Sequence, residues 1–99
     1  MNAAAPTISA ESRPRLARGV RLTHSEARGG WVLLAPERIF QMDAVAVEVL
    51  KRCTGESSLS AIIDDLVKAY DAPRPQIAGD VEALLSSLAD KKLIEFGDA

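Results

Sequence analysis

The amino-acid sequence predicts an α+β fold, and three features of its patterning carry that prediction. Apolar residues in the stretch 19–42 alternate with a period of two or form short unbroken runs, the mark of strands. From residue 44 to residue 90 they recur instead at the i, i+3, i+4 spacing of helices. The period changes at a single residue, Asp43. With 99 residues, 47% of them hydrophobic, the chain can build one modest core and no more.

Order is expected from about Leu16. Val20, Leu22 and His24 alternate with Arg21 and Thr23, which predicts a half-buried strand. Residues 25–30, SEARGG, supply polar side chains and two glycines for a hairpin loop. Residues 31–35, WVLLA, are apolar on both faces and predict a central strand. Pro36 fits the first corner of a tight turn, because its ring fixes φ near about −65°. Residues 38–42, RIFQM, then return as a third strand, completing a three-stranded antiparallel meander.

Asp43 is placed to cap a first helix, since its carboxylate can accept hydrogen bonds from the free amides of the first turn. Val45, Ala46, Val49, Leu50 and Cys53 form one face of that helix, and Gly55 is expected to stop it. A second helix follows Ser58, with Leu59, Ile62, Ile63, Leu66, Val67 and Tyr70 on an unbroken apolar stripe. Pro73 and Pro75 interrupt, ending one helix and opening the next. Ile77, Val81, Leu84, Leu85 and Leu88 mark the inward face of a third helix over residues 75–90. Residues 93–96, LIEF, read either as a short last strand or as an extended tail on the core. The order is βββααα: a meander followed by a three-helix bundle, as in a winged helix-turn-helix.

Residues 1–14 are small and polar, with two prolines and no periodic face. They read as a disordered arm or an interdomain linker, leaving residues 15–99 as the domain. A formal net charge of −2 gives no electrostatic pull toward nucleic acid or an anionic membrane, so neither is expected as a partner. The single cysteine, Cys53, excludes an internal disulfide and suits a reducing compartment. No apolar run reaches the roughly 18–20 residues of a membrane span. The N-terminus lacks the layout of a signal peptide, and a cytoplasmic protein is expected.

An active site needs convergent groups, and the chain offers few. His24, the one histidine, sits at a strand end, and Cys53 falls on an apolar helix face; each has a simple structural role there. Without partners nearby in sequence, they make neither a zinc site nor a thiol–imidazole pair. Asp64 and Asp65 are neighbours on a helix and point apart. Gly29-Gly30 lacks the strand–loop–helix setting of a phosphate loop. No catalytic, metal-binding or cofactor-binding residue is assigned, and the chain is expected not to be an enzyme. A winged-helix DNA binder would need basic and amide side chains on its third helix. Residues 75–90 carry Asp80, Glu82 and Asp90 with no lysine or arginine, which would repel phosphates.

The functional question therefore falls on the third strand. The outer strands of a meander leave amides and carbonyls without partners, and edges meant to stay unpaired carry charges, proline or a bulge. Here Ile39, Phe40 and Met42 are apolar, and only Arg38 and Gln41 are polar. Three readings are open. A helix or the LIEF segment covers this edge, a second copy pairs with it in a dimer, or an extended peptide adds as a fourth strand. In the last case backbone hydrogen bonds supply affinity and alternate side chains enter an apolar groove.

Residues 14–22, PRLARGVRL, residues 28–43, RGGWVLLAPERIFQMD, and residues 77–88, IAGDVEALLSSL, follow the pattern of the PqqD family of pyrroloquinoline quinone (PQQ) biosynthesis. The chain resembles that family over essentially everything after Arg13. It departs at Thr54-Gly55, where members often carry an acidic residue before the glycine. The resemblance implies a peptide chaperone, a recognition element for ribosomally made and modified peptides. It would bind the precursor peptide PqqA and present it to the radical S-adenosylmethionine enzyme PqqE, which joins a glutamate and a tyrosine of the peptide. In such elements the peptide pairs with the third strand and lies against the third helix. Carried over, this puts Arg38, Ile39, Phe40, Gln41, Met42 and Asp43 on the pairing edge. Leu84, Leu85 and Leu88 become the groove wall, with at least one of them turned to the core. Members also occur fused to the oxidase PqqC, and residues 1–14 would suit such a linker. No cofactor is expected, and the chain is expected to act as a monomer.

Overall fold

The computed structural model describes residues 9–97 and has eight elements. In chain order they are β1 (Arg13–Leu16), β2 (Arg21–Ser25), β3 (Gly30–Ala35), β4 (Arg38–Gln41), α1 (Ala44–Lys51), α2 (Leu59–Tyr70), α3 (Arg74–Asp90) and β5 (Ile94–Gly97). The α+β class and the antiparallel meander are as the patterning predicts: the main sheet has the order β2-β3-β4.

Local chemistry accounts for the meander. Val32 and Leu33 are both buried, as the two-sided apolar run requires of a central strand. The β2–β3 loop closes through the amides of Arg28 and Gly29, which donate to the carbonyls of Ser25 and Glu26 at 3.3 and 3.1 Å. Gly29 has a φ of 79°, open to glycine without a steric penalty. At the β3–β4 turn Pro36 takes the first corner. Glu37 takes the second with a φ of 63°, a conformation that costs a side-chain-bearing residue roughly 1–2 kcal/mol.

The helices are capped as their sequences indicate. The Asp43 carboxylate accepts the Ala46 amide at 2.8 Å, and the Ser58 hydroxyl accepts the Ala61 amide at 3.1 Å. Two details of α1 differ from expectation. Its buried residues are Ala46, Val47, Val49 and Leu50, while Val45 is half exposed. α1 packs against both β2 and α2, so its buried arc is wider than a single stripe and is rotated away from Val45. The helix also ends at Lys51, before Gly55. Gly55, with a φ of 87°, instead donates its amide to the Pro14 carbonyl at 2.9 Å. A Cβ at that position would stand 3.4 Å from the Arg15 side chain, so glycine there lets β1 approach.

α3 begins at Arg74, one residue earlier than expected, and so includes an arginine. That guanidinium donates to the Asp64 carboxylate and, at 3.2 Å, to the Ser60 hydroxyl, fastening the start of α3 to α2. Val81, Leu85 and Leu88 of α3 join Leu33, Val49, Leu59, Ile62, Leu66 and Leu93 in the core.

Two strands join the βββααα core: β1, which was not expected, and β5, which takes the strand alternative for LIEF. β5 is the LIEF segment, and it pairs with β1 in a separate two-stranded sheet with Arg15 opposite Glu95. Ordered structure accordingly starts before residue 15. Pro14 is fully buried, and the Ser12 and Ala10 carbonyls accept the Leu59 and Ser60 amides at 2.8 and 2.9 Å. Of the segment read as an arm, residues 9–14 pack on the domain, and residues 1–8 lie outside the described residues.

Candidate functional site

Antiparallel pairing decides which groups of β4 are free. The Met42 amide donates to the Trp31 carbonyl at 3.0 Å. Hydrogen-bonded positions recur at every second residue along such a pair. With Phe40 opposite Leu33 and Arg38 opposite Ala35, the backbone groups of Arg38, Phe40 and Met42 face β3, and those of Ile39 and Gln41 face away. Among the described residues no strand lies on that outer side, because β5 is engaged with β1. The reading in which LIEF covers the edge is therefore excluded. Two outward residues, each with one donor and one acceptor, offer four backbone hydrogen bonds to an added strand. Ile39, at 45% exposure, leaves that edge accessible.

Side-chain alternation gives β4 two characters. Phe40 and Met42 are partly buried against the core, on the face that also carries Arg38. Arg38 lies over the Phe40 ring at 5.4 Å and donates to the carbonyl of Lys91, the C-cap of α3, at 2.9 Å. On the other face, the Gln41 amide nitrogen donates to the Arg28 carbonyl at 3.2 Å, tying the end of β4 to the β2–β3 loop.

Beyond the end of β4 lies a groove of about 570 Å³, bounded by α1, the end of α2 and the first half of α3. Asp43, Val45, Tyr70, Ile77, Asp80 and Leu84 line it. Arg38 touches the C-terminal end of α3, while Asp43 shares this groove with Asp80 nearer the start of that helix. Arg38 and Asp43, at the two ends of β4, thus lie toward opposite ends of α3, and the groove opens only at the Asp43 end.

Of the three leucines expected on the groove wall, Leu84 lines it, whereas Leu85 and Leu88 are buried in the core. The geometry of α3 compels this, since its core stripe Val81–Leu85–Leu88 leaves Leu84 about 100° round the helix from Leu85. Only Asp43 and Leu84 of the expected site residues line the groove; Val45, Tyr70, Ile77 and Asp80 are among the lining residues that the sequence pattern did not single out for the site. An apolar stripe cannot by itself distinguish a side chain in the core from one in a groove beside it. For Asp80, no signal in the sequence separated it from a solvated face.

Among the described residues, the remaining polar groups sit apart or pair on the surface. Burial pushes the Cys53 thiol up to about 12, which leaves little thiolate to act as a nucleophile. The exposed His24 sets its ring edge-on to Trp31 at 5.4 Å. Glu48, Arg52 and Asp65 form a surface ion-pair network in which the Arg52 hydrogen bond holds the Glu48 carboxyl below its ordinary value. No cluster suited to a metal ion occurs among the described residues.

A winged-helix-like α+β domain in which the outer side of β4 has no paired strand among the described residues, with an apolar groove beyond its end, has the form of a small binding module. The chain belongs to the PqqD family: the family model for coenzyme PQQ synthesis protein D matches residues 30–94. The PqqA binding protein of Rhodopseudomonas palustris (strain BisB5) is 51% identical over 85 residues, which is 86% of this chain and 83% of that protein. The PqqA binding protein of Rhizobium meliloti (strain 1021) is 42% identical over 95 residues, covering 96% and 97%. Among solved structures, the solution structure of the PqqD truncation of Methylobacterium extorquens PqqCD superposes with a TM-score of 0.77 at 44% identity. It covers 90% of this chain and 95% of that one, and is described as a functional, stand-alone recognition element for ribosomally synthesized and post-translationally modified peptides. PqqD from Xanthomonas campestris aligns with a TM-score of 0.55 at 45% identity, over 88% of this chain and 97% of that one.

Proposed function

We propose that this chain is a non-catalytic peptide chaperone of PQQ biosynthesis. It binds the precursor peptide PqqA by strand addition to β4 and presents it to the radical S-adenosylmethionine enzyme PqqE. The observation that carries the reading is the open edge at Ile39 and Gln41, with the groove at its end ready to take apolar side chains. The names of the relatives, PqqA binding proteins, supply the peptide. Association with PqqC belongs to the same reading, since the Methylobacterium extorquens relative is a piece of a PqqCD chain.

Titration of the isotopically labelled chain with PqqA peptide tests this. Amide shifts are expected to concentrate at residues 38–43 and along the groove side of α3. Shifts confined to β1 and β5 would overturn the proposed site. An apparent mass that doubles with protein concentration in the absence of peptide would instead assign the edge to self-pairing.

A further inference from the structure

The unpaired edge of β4 carries opposite charges at its two ends, Arg38 at its start and, just past its end, Asp43 beside Asp80 in the groove. We propose that it selects peptides by the order of their charges. The preferred guest has a basic residue before, and an acidic residue after, the apolar segment that pairs with β4. This rests on strand addition at β4.

Several charged side chains pair within the chain: Arg15 with Glu95, Lys51 and Arg52 with Glu48, Arg52 with Asp65, and Arg74 with Asp64. The charges at the two ends of the β4 edge have no such ion pair among the described residues. At one end Arg38 is held by two contacts, the Lys91 carbonyl at 2.9 Å and the Phe40 ring at 5.4 Å, neither of which is an anion. The Lys91 ammonium donates to the Ser87 hydroxyl at 3.1 Å, and Lys92 follows it. Glu37 and Asp90 adjoin these cations in sequence, yet neither comes within ion-pair distance of them. At the other end Asp43 and Asp80 line the same groove. Asp43 has one oxygen on the Ala46 amide, and Asp80 makes no ion pair.

A strand that continues an antiparallel sheet runs opposite to β4. Its N-terminal flank then reaches Asp43 and Asp80, and its C-terminal flank reaches Arg38. Arg38 and Asp43 are five residues apart, about 17 Å along a strand. That exceeds the Debye length of about 8 Å at physiological salt, so each end reads its own charge. The basic–apolar–acidic order follows from the direction of the added strand.

Two synthetic peptides of identical composition test the rule. Each has a five-residue Val/Thr core, flanked in one by an N-terminal Lys and a C-terminal Glu, and in the other by the reverse. Binding is read by fluorescence anisotropy at low salt and in 1 M NaCl, with PqqA as competitor. The Lys-first peptide is expected to bind about tenfold more tightly at low salt, with the difference vanishing at high salt. The double variant Arg38→Glu, Asp80→Lys should reverse the preference. Equal binding, a preference for the Glu-first peptide, or binding of PqqA but of neither designed peptide would overturn the charge rule. If PqqA also fails to bind, strand addition at β4 falls, and the charge rule falls with it.

Discussion

Replacing Ile39 by proline separates recognition through the β4 backbone from every reading based on side chains alone. The Ile39 amide points away from β3, so proline removes no hydrogen bond from the sheet, and an outer strand tolerates proline at such a position. Ile39 is already 45% exposed, and trimming its side chain should cost about 1 kcal/mol of stability. For a domain this small that lowers Tm by roughly 4–8 °C. Binding should suffer more. One of the four backbone bonds is lost, worth about 0.5–1.5 kcal/mol net, and a guest carbonyl left unpaired adds to the penalty. A total of about 1–3 kcal/mol raises Kd for PqqA roughly 5- to 150-fold. Isothermal titration calorimetry gives Kd, and a circular dichroism melt checks the fold. Ile39→Ala keeps the amide and serves as the control, with a much smaller effect on Kd. A folded Ile39→Pro chain that binds PqqA as tightly as the parent would refute recognition through this edge.

Three further outcomes follow from the packing and electrostatics. Leu85→Ala, at a fully buried position, should lower the unfolding free energy by about 2–5 kcal/mol in urea; Leu84→Ala should instead act mainly on PqqA affinity, and equal effects on stability would contradict their different placement. Cys53 should resist iodoacetamide at pH 8 in the folded chain and react promptly in urea, because burial raises its pKa to about 12. The Glu48 carboxyl is held below its ordinary 4.5 by Arg52, so its contribution is fully present above that value and is lost as pH falls through the lowered one. Urea midpoints measured from neutral to acid pH should therefore show a component that Arg52→Ala removes.

Legibility from sequence followed the range of the interaction. The meander, the Asp43 and Ser58 caps and the stripe of α2 rest on patterns within a few residues, and each is found where those patterns put it. β1 was not legible. Residues 13–16, RPRL, carry two arginines and a proline, and nothing local favours a strand. It forms because β5, some 80 residues away, supplies a partner that includes Glu95 opposite Arg15. That same pairing bears on the proposed site. By taking LIEF away from β4, β1 leaves the outer groups of Ile39 and Gln41 open.

The amino-acid sequence by itself determined the class of fold and the identity of the third strand, with Arg38 its one charge, because periodicity and capping are properties of neighbouring residues. Tertiary structure alone decided that no described strand pairs with the outer side of β4, that Leu84 faces the groove while Leu85 and Leu88 face the core, and that Arg38 meets the end of α3 while Asp43 shares a groove with Asp80. Those facts depend on which distant segments meet, and a linear pattern carries no record of a meeting between residues it does not join.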